Sequence, residues 1–168
     1  MPTIRILGLD PGLARMGWGV IAVTGSRLEH VAHGVLTSDA KSSLGVRLMV
    51  LHRQLAAVIA ELQPTSIAVE QAFVAKDPSA ALKLGHARAM ALLAGAQAGL
   101  EIAEYAPNHI KKCVVGAGHA DKNQIQMMVR RLLPTARVEA ADAADALACA
   151  IAHAHYATTK AKILAALA

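Results

Sequence analysis

The chain has 168 residues, a formal net charge of +5 and a pI near 9.5. A chain of this length buries its own core without disulfides or a structural metal. It contains no apolar run of about 18 residues, and Arg5 interrupts an N-terminal apolar segment too short for a signal peptide. Membrane-spanning and disulfide-scaffold classes are thereby excluded; the expectation is one cytoplasmic domain over residues 1–168, whose basic charge favours a polyanionic partner. Within it, the Ala-rich stretch 158–168 reads only as a tail, set apart from the ordered body. Cys113 and Cys149 have no C-x-x-C spacing and lie among apolar residues, so they read as buried free thiols.

In chain order, "TIRILGLD" reads as a strand ending at Asp10, "PGLARMG" as a turn-rich connection, "WGVIAV" as a second strand and "RLEHVAHGVLT" as a third. Short connections make these an antiparallel meander. Leu44, Leu48, Leu51, Leu55, Val58 and Leu62 recur at helical steps, with Ser43 as N-cap and Pro64 past the end. "TSIAVEQ" then closes a fourth strand on Glu70, and a strand, helix and strand form a crossover that places it parallel to the first. Asp77 and Pro78 open a second helix ending near Gly99, and "LEIAEYA" follows as the fifth strand. Pro107 and Asn108 start a helix through Val115, "GAGHA" breaks it, Asp121 caps another running to Leu133, and the last helix begins around Ala141. The fold class is α/β: a mixed five-stranded sheet, three antiparallel strands then parallel ones, with helices on both faces.

Carboxylates carry the functional signal. Asp10 and Glu70 each end a hydrophobic strand, and parallel neighbours would deliver both side chains to the sheet edge where α/β proteins bind ligands. Asp10 alone is ordinary turn chemistry before Pro11-Gly12; Glu70 has no such structural excuse. "EAADAADALACAIA" adds Asp142 and Asp145, three apart on one helix face, where like charges repel. If that helix docks its N-terminus at the same edge, four carboxylates converge. Each close pair then costs roughly 4 kcal/mol at about 4 Å and an effective dielectric near 20. Divalent cations relieve that repulsion, and an all-oxygen donor set suits Mg²⁺ or Mn²⁺. Two such ions can activate water and stabilise a leaving 3′-oxygen during attack on phosphorus.

"LGLDPG", "VEQAFVAKDPSAALKLGHAR", "KKCVVGAGHADKNQIQ" and "ADAADALACAIAHAH" together, in order and spacing, closely resemble the RuvC family of bacterial Holliday-junction resolvases, over about residues 4 to 155. The resemblance implies a ribonuclease-H-like fold and a homodimer that nicks two strands of a four-way DNA junction with Mg²⁺. It places the family's acidic tetrad on Asp10, Glu70, Asp142 and Asp145. It also implies a base-contacting role for Phe73, roles in catalysis or DNA handling for Lys111 and Lys122, and the branch-migration proteins RuvA and RuvB as partners.

Phe73 is the single phenylalanine, and its neighbour Lys76 with Asp77 and Pro78 marks a loop tip where an aromatic can stack on an unpaired base. Lys112, Arg130 and Arg131 read equally well as a solvated helix face or as phosphate contacts. Ala81, Gly85 and Ala89 give the second long helix a small-residue face for contact between two copies. His153 shares nearly the face of Asp142 but lies roughly 16 Å further along the helix axis, so the two cannot share an ion. His155 sits beside it without a role, and His119 falls in a Gly-rich surface loop. Two rival classes stay open at this point: an actin-like phosphotransferase, for which the chain is too short, and a DNA-binding scaffold without catalysis.

Overall fold

The computed structural model describes residues 1–71 and 76–167, apart from the side chains of residues 161–164. Strand β1 (Ile4–Asp10) has four consecutive buried residues, Ile6 to Leu9, the pattern of a strand covered on both faces. It sits at the centre of a sheet ordered β3-β2-β1-β4-β5. β2 (Arg15–Thr24) and β3 (Arg27–Thr37) complete the antiparallel meander. β2 starts at Arg15, earlier than "WGVIAV" indicates, because Gly17 is held between Asp10 of β1 and Val35 of β3, and Arg15 and Met16 pair with Thr37 and Leu36 of β3. Tertiary pairing extends the strand through residues whose own β propensity is weak.

Helix α1 (Leu44–Leu62) buries Leu51, Leu55 and Ile59 and returns the chain to β4 (Ser66–Glu70), which is parallel to β1. Asp77 caps α2 (Pro78–Gln97) by accepting the Ser79 amide at 2.9 Å, and β5 (Glu101–Tyr105) adds parallel to β4. Helices α3 (Pro107–Val115), α4 (Lys122–Leu132) and α5 (Ala141–Leu167) follow. A reciprocal capping box between Asp121 and Gln124 fixes the start of α4.

Two apolar layers flank the sheet. Ile6, Ile21 and Ala68 pack with α3, α4 and α5 through Val114, Val129, Leu133, Leu147 and Ile151. Leu7, Leu9, Val20 and Ile67 pack on the other face with α1 and α2 through Leu51, Leu55, Ala87 and Ala91. The stretch from Thr158, expected as a tail apart from the ordered body, continues α5 to Leu167. Its alanines favour helix, and Thr158 and Thr159 donate back to the carbonyls of Ala154 and His155, each at 2.9 Å.

Candidate active site

The strand register decides where the carboxylates go. Leu9 of β1 lies beside Val69 of β4, so the next residues, Asp10 and Glu70, leave the sheet together at its C-terminal edge. Antiparallel pairing sets Gly17 of β2 opposite Asp10. A Cβ at Gly17 would overlap the carbonyl oxygen of Asp142, and one at Gly8 would overlap that of Ala146. Helix α5 therefore rests on β1 and β2 at backbone distance, with its first turn at the edge occupied by Asp10 and Glu70. Asp142 and Asp145, at the start of this helix, stand near enough for their charges to act on Asp10.

Mutual repulsion shows in the titration of these groups. Burial, then the charge of Glu70 and a proton shared with it, then the charges of Asp145 and Asp142, push Asp10 up to about 9. Asp145 is pushed up to about 6 by burial and Glu70, against the pull of Lys122, with a further push from Asp142 and a pull from Lys111. Burial and the neighbouring carboxylates thus both disfavour the charged form of Asp10. Carboxylates raised in this way, by burial and by like charges, make this edge a candidate functional site.

Cations stand around the group. Lys122 Nζ lies 3.9 Å from Asp145 Oδ2. Lys111, on α3, is half-buried and acts on Asp145 through its charge. Arg15 Nε donates to Asp142 Oδ2 at 2.7 Å. Among the described residues, no three His, Cys, Asp or Glu side chains already stand in an arrangement that holds a metal ion. Arg15 takes one oxygen of Asp142, so one of the donors a cation would use is engaged. The donor chemistry nevertheless fits a hard divalent cation: oxygen ligands alone, in excess negative charge, at an open sheet edge.

A family model described as "Crossover junction endodeoxyribonuclease RuvC" matches residues 6–153. The chain belongs to the RuvC family. It is 59% identical over 165 residues to the crossover junction endodeoxyribonuclease RuvC of Parvibaculum lavamentivorans, covering 98% of this chain and 94% of that one. To the Cereibacter sphaeroides RuvC it is 57% identical, covering 98% of both. Among solved structures it is similar to Thermus thermophilus RuvC in complex with a Holliday junction substrate, at 31% identity and a TM-score of 0.88, covering 94% of this chain and 96% of that one. The yeast mitochondrial Holliday junction resolvase, at 18% identity and a TM-score of 0.69, shares the fold. The expected ribonuclease-H-like architecture is therefore the fold of this RuvC-family chain.

The remaining sequence-derived positions separate clearly. Phe73 lies outside the described residues. Lys76 is exposed just before the cap of α2, and Lys112 is exposed on α3; neither forms an ion pair among the described residues. His153 is buried, with Nδ1 2.7 Å from the Tyr105 hydroxyl and Nε2 3.3 Å from Ser66 Oγ, so it is a core residue with satisfied nitrogens. His119 and His155 are exposed. Cys149 is a buried free thiol, but Cys113 is only half-buried, because its place on α3 turns it toward His109, whose Nε2 lies 3.4 Å from Sγ. Arg15 was missed by sequence reasoning. The signal was an alternation, Arg15-x-Gly17-x-Gly19, hidden in a segment that read as a turn.

Proposed function

We propose that this chain is a homodimeric, Mg²⁺-dependent nuclease that resolves four-way DNA junctions by paired symmetric nicks during recombination and repair. One observation carries the reading: in a chain of the RuvC family, Asp10, Glu70, Asp142 and Asp145 come from three separate elements to one sheet edge, and their crowding raises Asp10 to about 9. Thermus thermophilus RuvC, to which it is similar, is described in complex with a Holliday junction substrate.

In this reading Asp10, Glu70, Asp142 and Asp145 hold two Mg²⁺ ions, for which Mn²⁺ can substitute. Bound there, the ions would supply an activated water and charge stabilisation for the leaving 3′-oxygen. Lys122, beside Asp145, and Lys111 hold the phosphate against the acidic group and offset charge that grows in the transition state. Lys76 and Lys112 extend the cationic surface along the DNA, and Phe73 stacks on a base at the junction centre.

A junction with two-fold symmetry calls for two sites at a fixed separation, which an isologous dimer supplies. On α2, Leu82 is 64% exposed and Leu93 45% exposed, and they continue the row of Gly85 and Ala89. That row is the proposed dimer contact. Ala81, half-buried, borders it. The chain acts as one nuclease domain over residues 1–168 in the cytoplasm, with RuvA and RuvB as the partners that present the junction. None of the described helices is long and apolar enough to cross a membrane.

Incubation with a synthetic four-way junction tests the reading. Symmetric nicks that appear with Mg²⁺ and vanish with a chelator are expected. A gel shift without nicks, or nicking that survives chelation, contradicts it.

A further inference from the structure

Strand β2 presents Arg15, Gly17 and Gly19 on one face, because residues two apart in a strand point the same way. Gly17 and Gly19 make room for α5: a Cβ there would overlap the Asp142 carbonyl or the Leu147 side chain. Arg15 comes one step further, where the helix has just begun, and its Nε donates to Asp142 Oδ2 at 2.7 Å. The start of α5 adds partial positive charge that suits the carboxylate, so Asp142 has a second source of stabilisation besides Arg15. The backbone before Arg15 is tied down to keep it there. Ser38 donates its amide to the Ala14 carbonyl at 3.2 Å and its hydroxyl to Leu13, while Arg47 Nε donates to Ser38 Oγ at 3.0 Å. A cation held by the strand frame at the mouth of an acidic site is placed where a bound phosphate would also meet it.

The side chain of Arg15 is 54% exposed. Its two terminal nitrogens make no hydrogen bond among the described residues. On the two-cation reading above, on which this inference rests, the ions balance the four carboxylates and Asp142 no longer needs a positive partner. The guanidinium is then free beside the place where a phosphodiester must lie, with the planar fork that suits phosphate oxygens.

We propose that Arg15 is a phosphate-binding catalytic residue, paired with Asp142 while the carboxylates are unfilled and turned to a non-bridging oxygen of the scissile phosphodiester once cations are held. Arg15 thus serves two anions in turn, and its exchange between them couples filling of the site to positioning of the scissile phosphate.

The test uses the full chain with Arg15→Gln and Arg15→Lys. Mn²⁺ binding to the DNA-free protein is measured by calorimetry, junction affinity in Ca²⁺, and cleavage in single-turnover reactions at saturating Mn²⁺. Arg15→Gln is expected to bind Mn²⁺ at least as tightly as the wild type and the junction within about three-fold, yet to cleave about 100-fold more slowly. Arg15→Lys, a point charge without the fork, is expected to lose about 10-fold in rate with Mn²⁺ binding intact. It gives the answer on its own if Arg15→Gln folds poorly, and a wild-type rate for it then overturns the proposal. Wild-type cleavage by Arg15→Gln overturns it too. So does a rate loss that follows weakened Mn²⁺ binding, which would make Arg15 a mere support for Asp142. Asp145→Asn separates the two levels: if it cleaves like the wild type, the two-cation reading fails and this proposal goes with it.

Discussion

Helix α5 lies on the sheet at backbone distance, whereas α1 and α2 keep a full layer of side chains between themselves and the strands. On the α5 face, Gly8 and Gly17 bring strand backbone against the carbonyls of Ala146 and Asp142. On the other face, Leu7, Leu9, Val20 and Ile67 meet Leu51, Leu55 and Ile59. Backbone contact leaves no rotamers to absorb a displacement, while a layer of aliphatic side chains can repack. The face with no slack carries all four carboxylates, since Asp10 and Glu70 share the side of Ile6, Gly8 and Ala68, and the forgiving face carries none. The fold places its least adjustable contact where ligand geometry has to be held.

The largest effect should come from the carboxylates themselves. Asp145→Asn is expected to slow junction cleavage by about 1,000-fold or more while leaving junction binding within a few-fold, checked by single-turnover assay and gel shift. Next come paired changes on the two faces. Leu55→Ala, on the α1 side, should cost about 3 kcal/mol in a denaturant melt and leave the cleavage rate of the folded protein unchanged. Gly17→Ala should cost less, about 2 kcal/mol, yet slow cleavage at least 10-fold, because it lifts the first turn of α5 off the sheet. Equal rate losses for Leu55→Ala and Gly17→Ala would erase the contrast between the faces.

The acidic edge should also betray itself in pH dependence. Asp10 is raised from 3.8 to about 9 in the folded, metal-free protein. The folded state therefore binds the proton more tightly than the unfolded chain, and stability falls as pH rises between those two values. Asp10→Asn removes that dependence. Its metal-free form should match the wild type near pH 4 and be more stable by about 4 kcal/mol at neutral pH, read as a rise of roughly 10 °C in Tm. A constant difference across this range would deny the crowding. Gly45→Ala gives the smallest effect: on α1 a Cβ there meets nothing within 4 Å, so a gain of about 0.5 kcal/mol is expected with no change in cleavage.

Much of this was legible in the sequence because local signals and tertiary structure agree. Asp77-Pro78, Asp121 and the strand ends at Asp10 and Glu70 fall where turn and cap chemistry puts them. That Asp10, Glu70 and Asp142 reach one edge was legible because the first two end strands and the third lies in the first turn of a helix. Arg15 was not, since its role depends on β2 beginning at Arg15, and only the ladder from Met16 and Gly17 to β1 and β3 reveals that. Cys113 looks apolar in the sequence, but which side of a nine-residue helix meets the core is decided by the packing of Ile110 and Val114.

The central claim is that Asp10, Glu70, Asp142 and Asp145 jointly hold two divalent cations. Anomalous scattering from a crystal of the protein grown with Mn²⁺ and a four-way junction tests it most directly. Two Mn²⁺ peaks about 4 Å apart, ligated by these four carboxylates and flanking the scissile phosphate, are the predicted result. Mn²⁺ bound elsewhere, or a junction engaged with this edge empty, would contradict it.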